Sequence, residues 1–127
     1  MGPSARGSSG PPEGWLLRAG EALAPVEVAR SRAQRRRGLL GRDGIDGAFL
    51  LPRTRSVHTV AMRFAIDVAH LDAGGRVLRV ATMRPQRLGW PVWRARAVLE
   101  AEAGALARWG VGVGDTLVVA DATPADR

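Results

Sequence analysis

The sequence has 127 residues and a formal net charge of +7, and arginine supplies all of its permanently basic side chains. Cysteine and tyrosine are both absent, which excludes disulfides, thiolate nucleophiles, cysteine-ligated zinc and tyrosine acid–base chemistry. No apolar run approaches the ~18 residues that a membrane-spanning helix needs, and we expect a cytoplasmic protein with no membrane partner.

Composition also predicts the domain boundaries. Residues 1–13 are rich in Gly, Ser and Pro, which supply little to bury, and they lack the apolar stretch of a signal peptide. We therefore expect a disordered leader over residues 1–13, a single β-rich globular domain over residues 14–121 and a loose tail over residues 122–127.

The first predicted element is a hairpin. Trp15–Arg18 and Val26–Ala29 are short strand-like runs, and Ala19–Gly20 between them suits a turn. Pro25 fits the start of the second strand, where a missing N–H costs least.

A short helix is predicted to begin after Ser31. This serine is a good N-cap, and Gln34 three residues later completes a capping box. The run Arg35–Arg37 falls late in the helix, where positive charge complements the helix dipole, and we expect it to form a solvated face. Gly41 can end the helix with a left-handed cap, which leaves Gly38 inside it at a cost of about 1 kcal/mol relative to alanine.

The middle of the chain has strand character. Gly47–Pro52 is a short apolar run closed by proline, and Ser56–Met62 and Ala65–Leu71 are rich in β-branched or small residues. Asp72–Gly75 has turn chemistry, so Ala65–Leu71 and the following run Arg76–Met83 are expected to form a hairpin.

Strand alternation separates the polar side chains of residues 65–71. Ile66, Val68 and His70 share one face of the predicted strand, and Asp67 lies on the other face. His70 and Asp67 are therefore not expected to be partners. We expect His70 near the end of the hairpin and Asp67 as a structural carboxylate that joins the strand to a loop.

The C-terminal part begins with a long loop over residues 84–96, which holds two prolines and two tryptophans. A strand over residues 97–104 is favoured because the run is short and ends in glycine. One helical turn fits residues 105–110, and Thr116–Ala120 is predicted as a final strand. The sum of six to eight short strands and one or two short helices predicts a mainly β fold, a small antiparallel β-sandwich or partly closed barrel, with α+β as the alternative.

The order of these segments resembles the domain of unknown function 192 family of small bacterial and archaeal β-rich domains. The segments that carry the resemblance are "SRAQRRRGLLGR", "GAFLLP", "HTVAMRFAIDVAHLD", "AVLEAEAG" and "GVGVGDTLVV", within Val26–Val119. The positions that match the family's pattern are Gly38, Leu39, Asp67, Leu99, Glu100, Gly114 and Asp115. His58 departs from it, because the family usually has tryptophan there. The resemblance implies a fold and no particular activity.

The two histidines do not predict a metal site. His58 and His70 are twelve residues apart, without His-x-His or His-x-x-x-His spacing, and no calcium or phosphate-binding loop is present. We expect neither a metal nor another cofactor. An enzyme in which His58, beside Thr59, acts as general base and Asp67 or Glu100 orients it stays open as an alternative.

A nucleic-acid binder is the second alternative, because loop 84–96 interleaves arginines with indoles. Arginine can neutralise phosphates while indole stacks on bases. The residues concerned are Arg84, Arg87, Arg94 and Arg96 with Trp90 and Trp93.

The favoured interpretation is a non-catalytic binding or accessory module for a small molecule or a protein. Long ordered loops on small β scaffolds often carry such functions, so we expect the site at the rim formed by loop 84–96 and the segment around His58. The candidate ligand-binding residues are His58, Thr59, Arg63, Asp67, Trp90, Trp93 and Glu100. The oligomeric state stays open, because an unpaired edge strand would invite dimerisation.

Overall fold

The computed structural model describes residues 13–121, in which seven strands form one sheet and two short helices pack beside it. The strands are β1 (Gly14–Arg18), β2 (Glu21–Val28), β3 (Ala48–Pro52), β4 (Ile66–Leu71), β5 (Val77–Met83), β6 (Ala97–Glu102) and β7 (Val118–Asp121). The helices are α1 (Arg32–Arg37), between β2 and β3, and α2 (Ala105–Arg108), between β6 and β7. The order of strands across the sheet is β5–β4–β6–β3–β2–β1–β7. The predicted tail, and all of the predicted leader except Glu13, lie outside the described residues.

The sheet is mixed and is not closed into a barrel. β2 and β3 are parallel, because α1 and residues 38–47 carry the chain back to the end at which β2 began. β5 and β7 are the edge strands, and an isolated bridge between Arg76 and Thr116 joins the segments that precede them. The mainly β class is confirmed, while the expected antiparallel sandwich or partly closed barrel takes the form of one open mixed sheet.

Helix α1 begins as predicted and ends earlier. The Ser31 hydroxyl accepts a hydrogen bond from the Gln34 N–H at 3.1 Å, and the Gln34 side chain accepts one from the Arg30 N–H. Gly38, not Gly41, is the C-cap: its φ is +51° and its N–H donates to the Gln34 carbonyl at 2.9 Å. The predicted interior glycine therefore stands where a positive φ is required, and its helix-interior cost does not arise.

The strand expected over Ser56–Met62 is wrong. The structure has one isolated bridge there, from His58 to Leu88, followed by a turn in which Ala61 has a φ of +66°. The segment is extended only where it pairs with loop 84–96, and the Met62 N–H closes the turn by donating to the Thr59 carbonyl at 3.1 Å. This pairing brings the His58 segment and loop 84–96 together.

Each face of the sheet buries its own apolar cluster, because alternate residues of every strand point to opposite faces. The face that we call the α1 face includes Phe49, Leu51, Ile66, Val68 and Val98, covered by Leu39, Ile45 and Met62. The opposite α2 face includes Ala48, Ala69, Leu71, Leu99 and Ala101, covered by Ala105, Leu106 and Leu117. β4 is buried at all six positions, so any polar side chain on it must find its partners inside the protein.

Within residues 13–121 there is no helix with the length and apolar character to span a membrane.

Candidate functional site

A cavity of about 340 Å³ lies between α1 and the loop after β3, and we call it the Glu100 cavity. Its lining comprises Arg32, Arg35, Arg36, Arg37, Gly38, Leu39, Leu40, Leu51, Thr54, Ser56, Val57, His58, Met62 and Glu100. Glu100 is the single acidic residue that the described chain contributes to this lining. The cavity thus combines an arginine-rich side, an apolar wall and one carboxyl group.

The Glu100 residue is almost wholly buried, and its carboxyl has no hydrogen-bond partner among the described residues. Glu100 lies on β6 opposite Phe49 of β3 and Val68 of β4, and only 4% of it is exposed. No described residue donates a hydrogen bond to its side chain, and burial alone raises the pKa of Glu100 to about 7. Near neutral pH this carboxyl can therefore either donate or accept a proton in a hydrogen bond to a ligand.

His58 lies at the exposed edge of the same cavity. Its Nδ1 accepts a hydrogen bond from the Val60 N–H at 3.2 Å, so the neutral ring carries its proton on Nε2. In this tautomer Nε2 is a hydrogen-bond donor and no nitrogen is free to abstract a proton. The arrangement suits contact with an acceptor group of a ligand better than general-base catalysis.

Thr59 holds the His58 segment to loop 84–96, and its burial keeps it from contact with a ligand. It is fully buried, and its hydroxyl donates to the Arg84 carbonyl at 2.5 Å and accepts from the Arg87 N–H at 2.9 Å. Its own N–H donates to the Arg87 carbonyl at 2.8 Å. These bonds fix the part of the loop that carries Arg84 and Arg87.

A second cavity, of about 360 Å³, lies over β4 and β5 beneath this loop, and we call it the Trp90 cavity. Its lining comprises Val57, Val68, His70, Arg79, Ala81, Thr82, Met83, Arg84, Arg87, Leu88, Gly89 and Trp90. The described residues of this lining include three arginines and no acidic residue. Trp90 is 76% exposed, so its indole is available at the cavity's edge. Val57 belongs to both linings and separates the two cavities.

His70 is the buried polar residue of the Trp90 cavity. It is 3% exposed, and neither of its ring nitrogens has a hydrogen-bond partner within residues 13–121. Burial, the largest influence, and the positive charge of Arg79 lower the pKa of His70 below its ordinary value against an opposing contribution from the nearby Arg55 backbone, so the ring is neutral at pH 7. His70 was not among the candidate binding residues. The sequence could have indicated its burial, because His70 alternates with Ile66 and Val68 and so lies on the apolar face of its strand.

Asp67 lies on the opposite, α2 face and lines neither cavity. Its carboxylate accepts hydrogen bonds from the Thr82 hydroxyl at 2.7 Å, the Gly104 N–H at 3.0 Å and the Leu106 N–H at 3.2 Å. These bonds join β4 to β5 and to the start of α2. The structure therefore brings His58 and Glu100 to one cavity but leaves Asp67 on the far side of the sheet.

The other candidate residues divide between the two cavities and the surface. Trp90, Arg84 and Arg87 line the Trp90 cavity. Arg63 pairs with Asp43 at 3.0 Å on the exposed surface, and neither lining includes it. The residues Trp93, Arg94 and Arg96 also lie outside both linings. Among residues 13–121, no three His, Asp or Glu side chains are grouped as they would be around a metal ion.

Two solved structures resemble this fold. A protein of unknown function from Novosphingobium aromaticivorans is 23% identical, with a TM-score of 0.67 over 75% of this chain and 74% of that one. A protein from Sinorhizobium meliloti, named "putative transcription regulator", is also 23% identical, with a TM-score of 0.71 over 84% of this chain and 91% of that one. At this identity the likeness shows the fold alone.

Comparison of the sequence with curated proteins finds no match. The family model DUF192, described as "Uncharacterized ACR", matches residues 16–119, which is most of the chain. This match agrees with the order of segments from α1 to β7 and with the mainly β sheet that they form. The chain therefore belongs to the DUF192 family.

Proposed function

We propose that the protein is a non-catalytic binding module whose Trp90 cavity holds one nucleotide unit of a single-stranded nucleic acid. The observation that carries the proposal is a cavity with three arginines, no acidic residue and an exposed indole at its edge. Arginine neutralises phosphate groups, and an indole stacks on the face of any base.

His70 favours a nucleobase over a bare phosphate as the ligand group that enters the cavity. A neutral imidazole has one donor and one acceptor nitrogen, and in the described part of the chain neither nitrogen of His70 has a hydrogen-bond partner. Buried polar atoms normally have partners, because leaving them unpaired costs free energy. The edge of a nucleobase offers donors and acceptors side by side, so a base that enters the cavity can satisfy the ring.

The arginines of the cavity are carried by well-held backbone. Arg79 lies on β5, which pairs with β4 along its whole length, and Thr59 hydrogen-bonds the backbone of both Arg84 and Arg87. A site that is already formed loses less conformational entropy when its ligand binds. The cavity volume of about 360 Å³ is within the range of small-molecule sites, which is enough for one nucleotide but not for a folded partner.

Charge and one structural relative favour the same partner. The net charge of +7 attracts a polyanion from solution. The protein of similar fold from Sinorhizobium meliloti is named "putative transcription regulator", and contact with nucleic acid would suit that name.

Fluorescence anisotropy with labelled 12-nucleotide single strands of DNA and RNA tests the proposal. We expect binding at 50 mM salt that weakens as salt rises, with a slope of log K against log salt of about −2 if three arginines contact phosphates. AMP and UMP, measured as competitors, separate a strand from a free nucleotide as the ligand. No binding of either strand at 50 mM salt would contradict the proposal.

Two matched pairs of variants locate the contact. Trp90→Ala is expected to weaken binding about 10-fold or more, whereas Trp93→Ala, which removes an equally exposed indole from the same loop, should change it less than about 2-fold. Arg87→Gln should reduce the salt slope by about 0.7, and Arg94→Gln should leave it unchanged. Equal losses within either pair would mean that the cavity is not the binding site.

A further inference from the structure

We propose that the Glu100 cavity is a second, independent binding site, for a small molecule with a protonated amine at one end and a phosphate or carboxylate at the other. The proposal rests on a buried carboxyl without a partner, on unpaired arginines along the same lining and on the apolar wall between them. It does not depend on the nucleotide site.

The carboxyl end of the site is defined by Glu100. Its Oε1 faces Gly38, at 3.8 Å from the position that a β-carbon there would take, so the side chain points towards the end of α1. Its neighbours across the strands, Phe49 and Val68, are apolar and offer it no hydrogen bond. A ligand ammonium or other nitrogen donor that reached this point would give the carboxyl the partner that the fold does not provide.

The anion end of the site is formed by α1. Arg32, Arg35, Arg36 and Arg37 all contribute to the lining, and none of the four pairs with an acidic residue of the described chain. Helix α1 buries none of its own residues, so these side chains are free to reorient towards an anion. Guanidinium groups bind carboxylate and phosphate through paired hydrogen bonds. The donor at Nε2 of His58 lies at the same edge.

The two ends are separate within the cavity. Among the described residues, no arginine forms an ion pair with Glu100. Leu39, Leu51 and Met62 line the space between the two ends with apolar surface. A ligand that satisfies both ends must therefore have a short apolar body, such as a chain of a few methylene groups, between its cationic and anionic groups.

Isothermal titration with ω-aminoalkyl phosphates of two to six methylene groups tests the proposal. ω-Amino acids of the same lengths distinguish carboxylate from phosphate as the anionic group. The matched probes are alkyl phosphates, which lack the amine, and alkylamines, which lack the anion. We expect at least one two-ended probe to bind at least 10-fold more tightly than either one-ended probe of its length. If no two-ended probe binds at millimolar concentration, or if the one-ended probes bind equally well, the proposal is wrong.

Variants assign the two ends. Glu100→Gln keeps the shape of the side chain, and it should weaken the two-ended probe at least 10-fold while leaving the alkyl phosphate unchanged. The double variant Arg35→Gln/Arg36→Gln should weaken both phosphate-bearing probes. Arg53→Gln/Arg55→Gln makes the same change of charge at exposed residues outside the lining, and it should weaken neither. Equal effects of the two double variants would show attraction by overall charge only and would overturn the assignment.

Thermal unfolding of each variant separates loss of binding from loss of folding. Binding of the 12-nucleotide strands should be unchanged in Glu100→Gln, because Glu100 does not line the Trp90 cavity. A negative result in the strand-binding experiment would therefore not contradict the second site, and a negative result with the two-ended probes would not contradict the nucleotide site.

Discussion

His70 and Glu100 lie on the same face of the sheet, on the neighbouring strands β4 and β6, and each is buried at the lining of a different cavity. In the register of the two strands Val68 faces Glu100 and His70 faces Val98, so the two polar side chains are diagonal neighbours. Neither has a hydrogen-bond partner among the described residues. The opposite face shows the contrast, because Asp67 there accepts three hydrogen bonds. The α1 face thus retains two unsatisfied polar groups.

Glu100→Gln should make stability independent of this carboxyl. Its pKa of about 7 in the folded protein is above the ordinary 4.5 of the unfolded chain, so the folded state binds more protons between these two values. The contribution of Glu100 to the stability of the native protein should therefore be most favourable below pH 4.5 and fall by up to about 3 kcal/mol as the pH rises through 7. Urea unfolding at pH 4.5 and pH 8 measures the difference.

In the same experiment the variant should match the native protein at pH 4.5 and exceed it at pH 8. Asp43→Asn, at an exposed carboxylate, serves as the control, and we expect it to follow the native pH dependence. If the native protein is as stable as Glu100→Gln at pH 8 as well as at pH 4.5, the burial of an unpaired carboxyl is contradicted.

His70→Leu should stabilise the protein, by about 1–2 kcal/mol at pH 7, because it removes two buried nitrogens that lack partners. The pKa of His70 is lowered in the folded state, so its contribution to stability is lost as pH falls below its ordinary value of 6.5. The advantage of the variant should therefore grow between pH 7 and pH 5. Chemical denaturation at both pH values measures it.

The control for this prediction is His58→Leu, which changes the exposed histidine. It should alter the free energy of unfolding by less than about 0.5 kcal/mol. A loss of stability in His70→Leu would mean that the ring has a partner in the folded protein. His70→Leu should also weaken binding of the single strands, since His70 lines the Trp90 cavity.

Asp67→Ala should lower the free energy of unfolding by about 3 kcal/mol or more. The change leaves the Gly104 and Leu106 N–H groups at the start of α2 without their acceptor, and unpaired buried donors cost about 1–3 kcal/mol each. Thr82→Val removes only one of the three bonds and should cost about 1 kcal/mol. Urea unfolding compares the two variants, and equal losses would contradict the role of Asp67 in anchoring α2.

Gly75→Ala should cost more than about 2 kcal/mol. Gly75 has a φ of +86°, and a β-carbon there would overlap the carbonyl oxygen of Leu117, where the β4–β5 turn contacts the segment before β7. Gly20, in the β1–β2 turn, has a similar φ of +81° with open space around it, so Gly20→Ala should cost only about 1 kcal/mol. Thermal or urea unfolding measures both. A similar loss in the two variants would show that backbone strain alone, and not the contact with Leu117, determines the loss in free energy of unfolding.

Local signals in the sequence predicted most of the elements. The Ser31 cap, the β4–β5 hairpin with its Asp72–Gly75 turn, strand β6 and the single turn of α2 all depend on residues that are close in the chain. The strand expected over Ser56–Met62 failed because the segment pairs with loop 84–96 only at the His58–Leu88 bridge and then turns at Ala61, whose φ is positive. The end of α1 was misplaced because either Gly38 or Gly41 can adopt a positive φ, and both do.

The candidate site was predictable only in part. Sequence reasoning joined loop 84–96 to the His58 segment, and the hydrogen bonds of Thr59 make that connection. It did not predict which residues of the loop line a cavity, because the side of a loop that faces a cavity depends on how the loop packs. Trp90, Arg84 and Arg87 line the Trp90 cavity, whereas Trp93, Arg94 and Arg96 do not. It left open whether Asp67 or Glu100 lies near His58, and the register of β4 and β6 puts the two carboxyl groups on opposite faces.

By itself the sequence determined the family, the mainly β class, the absence of cysteine chemistry and the places where capping and turn residues begin and end elements. The tertiary structure alone decided the strand order, the parallel β2–β3 pair and the division of polar residues between two cavities. The physical reason is that caps, turns and alternation act over a few residues. Strand order and the burial of His70 and Glu100 arise from contacts between segments far apart in the chain.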